Sequence, residues 1–227
     1  MKKDSDQEEI IPLFPLPSTV FYPGTPLPLH IFEPRYRQMT ADALKGERKI
    51  GMVLLKPDWE STYFDRPQVF QVGCVGSIEK EVCHPDGKYN FTLVGLRRFR
   101  ILRELEGKPY RIAEIGLLDE QNEQGLSEAP NATRDGLIDR YREFTHLIPE
   151  NNSLKKEPDW NLGNQLSQFV DRFAYRLDLS LEEKQKFLEE QDVLRRAEFL
   201  HSFLKMKIGL VRLSKTRNLT PDSAKWN

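Results

Sequence analysis

The sequence has 227 residues, with 34 basic and 35 acidic side chains and a formal net charge of −1. This near-neutral balance argues against a protein built mainly for nucleic acid, where a basic face is expected. Two cysteines are too few for a disulfide scaffold or a four-cysteine zinc site. No apolar run has the length of a membrane span, and the N-terminus lacks a secretory signal, so we expect a cytoplasmic protein.

Residues 11–46 combine closely spaced prolines with large apolar side chains. Seven prolines fall between Pro12 and Pro34. Proline lacks a backbone donor and fixes φ, so these segments are expected to be short extended pieces, edge strands or turns. Linkers are polar and this run is apolar, so we expect it to be buried. After Pro34 the apolar spacing predicts a short helix that ends near Gly46.

Apolar or alternating runs predict the strands that follow this helix. They lie at residues 50–55, 70–80, 89–96, 99–105 and 110–117. The sequence His84-Pro85-Asp86-Gly87 predicts a hairpin turn between two of them. We therefore expect a β subdomain over residues 10–120, preceded by a disordered tail at residues 1–9.

The second half of the chain has helical periodicity. A polar stretch at residues 121–133 predicts a linker, and residues 134–215 predict a helical bundle followed by a tail at 216–227. Ser180 and Glu183 form a capping-box signature for the third helix of this bundle. Asp192 is the expected N-cap of a last helix of some 20 residues, roughly 30 Å long.

Motifs that would indicate an enzyme are missing from the sequence. It has no nucleotide-binding loop, no GxSxG elbow and no H-E-x-x-H metal motif. We therefore predict no catalytic, cofactor-binding or metal-binding residues. Cys74, Cys83 and His84 would offer a transient disulfide or three metal ligands if the cysteines faced each other across the hairpin. Two reduced strand cysteines are the favoured interpretation.

Arg97, Arg98 and Arg100 belong to the densest basic cluster in the chain. The functional interpretation is a basic patch that contacts phosphate or acidic peptides. Alternating strand positions point to opposite faces, so these arginines are not expected to form a single stripe. Ion pairs with nearby carboxylates are the favoured alternative.

The predicted loop at residues 56–67 holds three aromatic residues, Trp59, Tyr63 and Phe64. Loops run over the surface, and clustered exposed aromatic side chains often mark a contact site. These three residues are our candidates for peptide contact. The alternative is that the loop folds back and packs its aromatic rings on the rest of the protein.

Three stretches closely resemble the Lon protease N-terminal substrate-binding domain. The opening signature lies in PLFPL at residues 12–16, VFYPG at 20–24 and LPLHIFEPRYR at 27–37. LVGLRRFRI at residues 93–101 and FLEEQDVLRR at 187–196 agree in the same order. The resemblance covers about residues 10–213, which is nearly the whole chain.

This resemblance implies an α+β fold. A PUA-like β pseudo-barrel of about six strands with one short helix would precede a C-terminal helical bundle that ends in a long helix. In Lon proteases this domain helps to recognise unfolded or tagged substrates. The ATPase and peptidase activities belong to an AAA+ module and a Ser-Lys peptidase module. This chain has neither module, so we expect a stand-alone, non-enzymatic protein that needs no cofactor.

The residues of the opening signature are expected to be structural. They are Pro23, Gly24, His30, Phe32, Glu33, Pro34, Arg35 and Tyr36. Glu33 and Arg35 are expected to fix the turn into the helix by hydrogen bonding.

The leading hypothesis is a module that binds exposed apolar segments of unfolded or partner polypeptides. The alternative is an RNA-binding protein that uses the PUA-like barrel, whose binding would weaken steeply with salt. A hydrolase is the third hypothesis, and it would need a nucleophile beside a base, which no spacing suggests. No membrane partner is expected, and the sequence leaves the oligomeric state open.

Overall fold

The computed structural model describes residues 8–62, 66–123, 130–149, 151–155, 160 and 165–216. The chain divides into two compact units. The first contains Met1–Asp119 together with Asp178–Gln191, and the second contains Glu120–Leu177 together with Asp192–Asn227. None of the described helices is long and apolar enough to cross a membrane.

A six-stranded sheet forms most of the first unit. Its strands are Glu8–Leu16 (β1), Pro26–Ile31 (β2), Lys49–Leu54 (β3), Val72–Cys83 (β4), Tyr89–Leu105 (β5) and Arg111–Leu117 (β6). The helix α1, Pro34–Lys45, lies between β2 and β3 in the chain. The strand order is β2-β5-β4-β3-β1-β6, and β1 and β3 are parallel. The prediction of about six strands with one short helix is confirmed.

The strand β5 closes the sheet into a barrel, because it pairs with both β4 and β6. It is one strand of 17 residues, so the prediction of separate strands at 89–96 and 99–105 is wrong. In the register, Val75 is opposite Arg97 whereas Gly76 is opposite Gly95, which leaves Leu96 as an extra residue. Such a β-bulge bends a strand without ending it.

The barrel interior is filled by side chains from five strands and by Leu55 and Val69, which form an isolated bridge outside them. The buried cluster consists of Ile11, Leu13, Val53, Leu55, Val69, Val75, Phe99, Ile101, Ala113 and Ile115. Alternate residues of β1 enter this cluster, as the period of two in a half-buried strand requires. This alternation buries Ile11 and turns its neighbour Ile10 outward, where its side chain is 65% exposed.

Prolines protect the edge strand β2. Pro26 is opposite Val94 and Pro28 is opposite Thr92, and among the described strands β2 has β5 as its one neighbour in the sheet. A proline cannot donate to the ladder, so its nitrogen must face away from β5. The two prolines therefore remove donors from the free edge, which discourages the addition of another strand.

The helix α1 begins and ends where the sequence predicts. Pro34 occupies its first turn, where a missing N–H costs nothing, and Glu33 precedes it in extended conformation. Gly46 follows the last residue, and its N–H donates to the carbonyl of Ala43 at 3.1 Å. Tyr36 is buried on the inner face, with its ring 4.5 Å from that of Phe14 in β1.

The helix α4, Leu181–Glu189, also belongs to the first unit. The predicted capping box is confirmed: the Glu183 N–H donates to the Ser180 hydroxyl at 3.2 Å, and the Ser180 N–H donates to the Glu183 carboxylate at 2.7 Å. The helix is tied to the barrel because the Gln185 amide donates to the Val72 carbonyl at 3.1 Å. The sequence predicts this segment as part of the helical bundle of residues 134–215, whereas it groups with the first unit.

The second unit contains the helices Pro130–Leu147 (α2), Leu166–Arg176 (α3) and Val193–Thr216 (α5). They share an apolar core that includes Leu137, Tyr141, Phe169, Val170, Phe173, Val193, Ala197, Leu200, Leu204 and Ile208. Asp192 caps α5 as predicted, since its carboxylate accepts from the Leu194 N–H at 2.9 Å. At 24 residues, α5 is about 36 Å long, somewhat longer than the sequence indicated.

Some predicted boundaries differ from those in the structure. β1 begins at Glu8, inside the predicted tail of residues 1–9, because Glu8 pairs with Gly116 of β6. The helix α2 begins at Pro130, inside the predicted linker of residues 121–133. Proline in the first turn of a helix, like Pro34 of α1, is compatible with this earlier start.

Candidate functional site

A groove runs along α1 on the surface of the first unit. It consists of two clefts that share Tyr110, the residue before β6. The larger cleft has a volume of about 250 Å³ and is lined by Ile10, Ile11, Pro12, Asp42, Ala43, Gly46, Glu47, Lys49 and Tyr110. The smaller has a volume of about 160 Å³ and is lined by Pro15, Arg35, Tyr36, Leu55, Arg66, Pro67, Lys108, Pro109, Tyr110 and Arg111. We call the two together the α1 groove.

The larger cleft has an apolar floor and a charged rim. Ile10 and Pro12 of β1 and Ala43 of α1 supply the apolar side chains. Lys49 on the rim lies 2.8 Å from the Glu9 carboxylate and 2.7 Å from that of Glu47. The hydrogen bond from Lys49 lowers the pKa of Glu47, and the bonds to Glu47 and Glu9 raise the pKa of Lys49. This cleft therefore offers an apolar surface beside charges that are already paired.

Tyr110 and Asp42 form a bridge between the two clefts. The Tyr110 hydroxyl donates to the Asp42 carboxylate at 2.7 Å, and the Lys108 ammonium donates to the same oxygen at 3.0 Å. The hydrogen bonds from Tyr110 and then Lys108 lower the pKa of Asp42. Burial, followed by the hydrogen bond to Asp42, raises the pKa of Tyr110. Asp42 therefore stays ionised and Tyr110 stays neutral over the physiological range.

The smaller cleft is basic. Arg35, Arg66, Lys108 and Arg111 all contribute to its lining. Arg111 is buried and has a structural role, because it donates to the Pro67 carbonyl and lies 3.2 Å from the Glu104 carboxylate. Burial lowers the pKa of Arg111, while the charge of Glu104 opposes this shift. Because Arg35 and Lys108 pair with Glu33 and Asp42, the exposed Arg66 is the lining cation best placed to attract acidic or carbonyl groups.

The aromatic loop predicted at residues 56–67 is described only in part. Trp59 lies in a short 3-10 turn, is half-buried and packs against the apolar core of the barrel. Tyr63 and Phe64 lie outside the described residues. The flanking residues Arg66 and Pro67 line the smaller cleft, so the loop ends at the α1 groove.

The predicted basic patch is wrong for Arg98. Its side chain is 2% exposed, and its guanidinium donates to the Leu188 carbonyl in α4 at 3.0 Å. Arg97 and Arg100 are exposed, and Arg97 pairs with the Asp119 carboxylate at 2.5 Å. Because α4 covers this part of β5, the middle arginine of the cluster serves as an anchor for a helix.

Several residues of the opening signature are buried or hydrogen-bonded within the first unit. Gly24 has φ of 70°, which favours glycine, and its N–H donates to the Gly95 carbonyl at 2.9 Å. Pro23 is buried beside it. The guanidinium of Arg35 donates to the Glu33 carboxylate at 3.0 Å, as predicted for the turn into α1.

Phe32 is the exception, because its side chain is 58% exposed. It follows the edge strand β2 and stacks on His30, with ring centroids 6.0 Å apart. His30 is also exposed and shares a short hydrogen bond of 2.6 Å with the Asn90 side chain. Phe32 therefore lies on the surface beside the edge strand β2, and the structural role expected for it stays a prediction.

The two cysteines lie on one strand. Cys74 is buried opposite Arg98, whereas Cys83 is exposed opposite Tyr89 at the far end of β4. Nine residues of strand separate them by roughly 30 Å, so they do not face each other across the hairpin. Among the residues that the structure describes, no group of three His, Cys, Asp or Glu side chains is placed to hold a metal ion.

Comparison with known proteins identifies the family. Residues 10–206 match the substrate-binding domain of ATP-dependent protease La (LON). The chain belongs to the Lon substrate-binding domain family. Its relatives include the Lon protease of Dictyoglomus thermophilum, with 27% identity over 94% of this chain, and Lon protease 2 of Myxococcus xanthus, with 26% identity over 92% of it. The chain spans about a quarter of the length of these proteases, with 26% and 25% coverage.

Solved structures agree with this assignment. A Lon N-terminal domain protein from Xanthomonas campestris has 25% identity and a TM-score of 0.61, over 86% of this chain and 98% of that one. The N-terminal domain of a Mycobacterium avium complex Lon protease has 16% identity and a TM-score of 0.59, which shows a shared fold. The predicted α+β class and the predicted family are both confirmed.

Sequence reasoning missed the α1 groove. The groove combines β1, α1 and the start of β6, which are distant in the sequence and meet only in the folded barrel. One local signal was present: in Ile10-Ile11, strand alternation requires one of the two isoleucines to face outward.

Proposed function

We propose that this chain is a non-enzymatic, cytoplasmic module that binds exposed apolar segments of unfolded or partner polypeptides through the α1 groove. The observation that carries this proposal is the cleft around Ile10. A large aliphatic side chain that is 65% exposed, in a cleft of about 250 Å³, offers a contact surface for an apolar side chain. Membership of a substrate-binding domain family supports a polypeptide as the ligand.

The two clefts favour a segment with mixed chemistry. An apolar side chain would cover Ile10 and Ala43, while the basic lining near Arg66 and Lys108 would accept backbone carbonyls or an acidic side chain. Both clefts are small compared with typical ligand pockets of about 300–1,000 Å³. The affinity is therefore expected to be modest, because a shallow surface must still offset the entropy lost by the ordered segment.

The aromatic loop completes the proposed site. Residues 66 and 67, at the end of this loop, line the smaller cleft. We propose that Trp59, Tyr63 and Phe64 lie along the path of the bound segment. Trp59 already contributes part of its ring to the barrel core, so its contact with a ligand would use only the exposed remainder.

Titration with a fluorescent, permanently unfolded test protein examines this proposal. The Ile10→Ser variant is expected to weaken binding about fivefold, which corresponds to about 1 kcal/mol at one apolar contact. Leu102→Ser is the matched control, because Leu102 is 48% exposed on β5 and does not line the α1 groove. Absence of saturable binding by the wild type, or equal losses in both variants, would refute the proposal.

The loop is tested separately with the triple variant Trp59→Ala, Tyr63→Ala, Phe64→Ala. Weaker binding, with the same circular dichroism spectrum as the wild type, supports its place in the site. Because Trp59 packs against the barrel core, a second variant with only Tyr63→Ala and Phe64→Ala avoids loss of stability. Unchanged binding in both variants would remove the loop from the proposed site.

RNA binding by the barrel is the alternative function. It would rely on the basic cluster of β5, where Arg98 is buried beneath α4 and Arg97 is paired with Asp119. The same titration with an RNA oligonucleotide over a range of salt concentrations separates the two functions. RNA binding that falls steeply with salt would favour the alternative.

A further inference from the structure

The solvent-facing side of α5 carries an apolar stripe. Met206, Leu210 and Leu213 are 49%, 43% and 57% exposed, and Phe199 continues the stripe toward the start of the helix. At 100° per residue, these four positions fall within an arc of about 60° on one helix face. We call them the α5 stripe. They extend over 15 residues, or about 21 Å of helix from the first to the last.

Gly209 lies at one edge of the α5 stripe. A Cβ atom added to this glycine would have no neighbouring atom within 4 Å, so the helix backbone is open to the surroundings there. A second helix would be able to approach closely at this position, because no side chain keeps it away. The α5 stripe thus combines large apolar side chains with a glycine beside them, an arrangement that suits packing of a second helix.

Basic side chains border the α5 stripe on both sides. Lys205 lies toward one edge and Lys207 toward the other, whereas Arg212 lies farther round the helix on the side that faces α2. Lys207 is placed over the Phe203 ring, 5.1 Å from its centroid, and Arg212 lies 2.8 Å from the Glu143 carboxylate of α2. From residue 199 to residue 216 the sequence has four basic residues and no acidic one. Glu198 precedes this run beside Phe199, so the positively charged part of the rim lies next to Met206 and Leu210.

We propose that the α5 stripe is a docking site for an amphipathic helix of another polypeptide, one whose apolar face is bordered by Asp and Glu. An apolar row at i, i+4 and i+7 accepts the equivalent row of a second helix. Acidic residues on that helix would meet Lys205 and Lys207, which gives the pair its specificity and orientation. The site lies in the second unit and does not depend on the α1 groove.

Charge disfavours a second copy of the chain as the occupant. Pairing two α5 helices in either direction would bring Lys205 and Lys207 of one copy against basic residues of the other. Like charges at a helix contact oppose association. An anionic membrane is also a poorer match, because surface-bound helices present a broad apolar face, whereas this one is a narrow stripe.

Fluorescence anisotropy with two designed 18-residue peptides tests the proposal on the full chain. Both peptides carry Leu along one helical face; the first has Glu on the flanking positions and the second has Lys. We expect the Glu peptide to bind, with binding that weakens as NaCl is raised, and the Lys peptide to bind at least tenfold more weakly. Equal affinity for the two peptides would overturn the proposal.

Variants of the chain locate the binding surface. Leu210→Ser and Leu213→Ser are each expected to weaken binding of the Glu peptide about tenfold, whereas Ile10→Ser in the α1 groove leaves it unchanged. The Lys205→Glu, Lys207→Glu double variant should reverse the preference and bind the Lys peptide. A reversal of preference cannot arise from lost stability, so the proposal stays falsifiable if a serine variant unfolds. Retained preference for the Glu peptide would overturn it.

Two further measurements decide between the occupants. Sedimentation velocity of the wild type and of Leu210→Ser tests for self-association, and co-sedimentation with phosphatidylserine vesicles tests for a membrane. Dimers that dissociate in Leu210→Ser, or vesicle binding without peptide binding, would each replace the proposed helix with another occupant. Leu210→Ser should lose binding of the Glu peptide and still bind the unfolded test protein. This result would show that the α5 stripe and the α1 groove act as separate sites.

Discussion

The guanidinium of Arg196 in α5 lies 3.3 Å from the carboxylate of Asp171 in α3, and both side chains are removed from water, with exposures of 0% and 1%. Arg196 also donates to the Glu120 carboxylate. One buried cation therefore joins α3, α5 and the segment that precedes α2. A buried charge is tolerated only while its partners remain, since bare burial of an ion costs several kcal/mol.

We predict that Asp171→Asn destabilises the helical unit by about 3 kcal/mol, because it leaves the Arg196 charge buried with one carboxylate fewer. Urea unfolding followed at 222 nm measures this change. The control is Glu182→Gln, which removes the exposed partner of Lys186 in α4, a pair separated by 2.7 Å. An exposed pair contributes little, so the control should remain close to the wild type. An equal decrease in the free energy of unfolding in the two variants would contradict a stabilising role for the buried Arg196–Asp171 pair.

Arg98 anchors α4 to the barrel, and its replacement should loosen that helix. The hydrogen bond from its guanidinium to the Leu188 carbonyl is buried, so Arg98→Met should cost about 2 kcal/mol, as expected for a bond from a charged donor. We expect faster amide hydrogen exchange across residues 181–189. Arg100→Met is the control, because Arg100 is exposed on the same strand. Exchange that is unchanged in Arg98→Met would disprove the anchoring role.

Local signals explain which elements the sequence predicted correctly. The capping box of Ser180 and Glu183 spans four residues and needs no tertiary contact, so its pattern was sufficient. The same holds for Pro34 and Gly46 at the two ends of α1. The burial of Arg98 depends on a carbonyl 90 residues away, and no local pattern encodes such a contact.

The candidate site was harder to predict than the fold. Alternation showed that one residue of Ile10-Ile11 must face outward, but the cleft around Ile10 needs α1 and Tyr110 beside it. Likewise, the strand order of the described residues is needed to see that Phe32 follows an edge strand. Aromatic residues in a loop are a visible signal in a sequence, whereas a groove assembled from distant segments is not.

His201 gives the helical unit a specific pH dependence. Burial, and to a smaller extent the charge of Arg140, lower its pKa below the ordinary value of 6.5. Between the folded and unfolded pKa values the unfolded chain binds more protons, so stability falls as the pH drops below 6.5. Urea unfolding measures the free energy of unfolding at pH 7.5 and at pH 5.0. The decrease between the two pH values should be smaller in His201→Gln than in the wild type. His146→Gln, at an exposed position of α2, is the control and should retain the full loss.

The hydrogen bond between Tyr110 and Asp42 makes the stability of the barrel depend on pH as well. The pKa of Asp42 is held below 3.8 by the Tyr110 hydroxyl and by Lys108, so this stabilisation is present above pH 3.8 and is lost as the pH falls through the folded pKa. In Tyr110→Phe we expect the pKa of Asp42 to rise toward 3.8, as measured by carbon NMR of the side-chain carboxyl. A pKa of Asp42 that stays low in this variant would assign the effect to Lys108 instead.

Two glycines should respond in opposite directions to the same substitution. An added Cβ at Gly95 would lie 2.1 Å from the Tyr22 carbonyl oxygen, a backbone atom that cannot move aside, so Gly95→Ala should destabilise the barrel by about 1–3 kcal/mol. At Gly209 in α5 the added Cβ meets no atom within 4 Å, so Gly209→Ala should stabilise the helix by about 0.5–1 kcal/mol through lower backbone entropy in the unfolded chain. Thermal unfolding of both variants measures the two shifts. Destabilisation by Gly209→Ala would mean that the backbone there is covered, which would also count against the open docking surface of the α5 stripe.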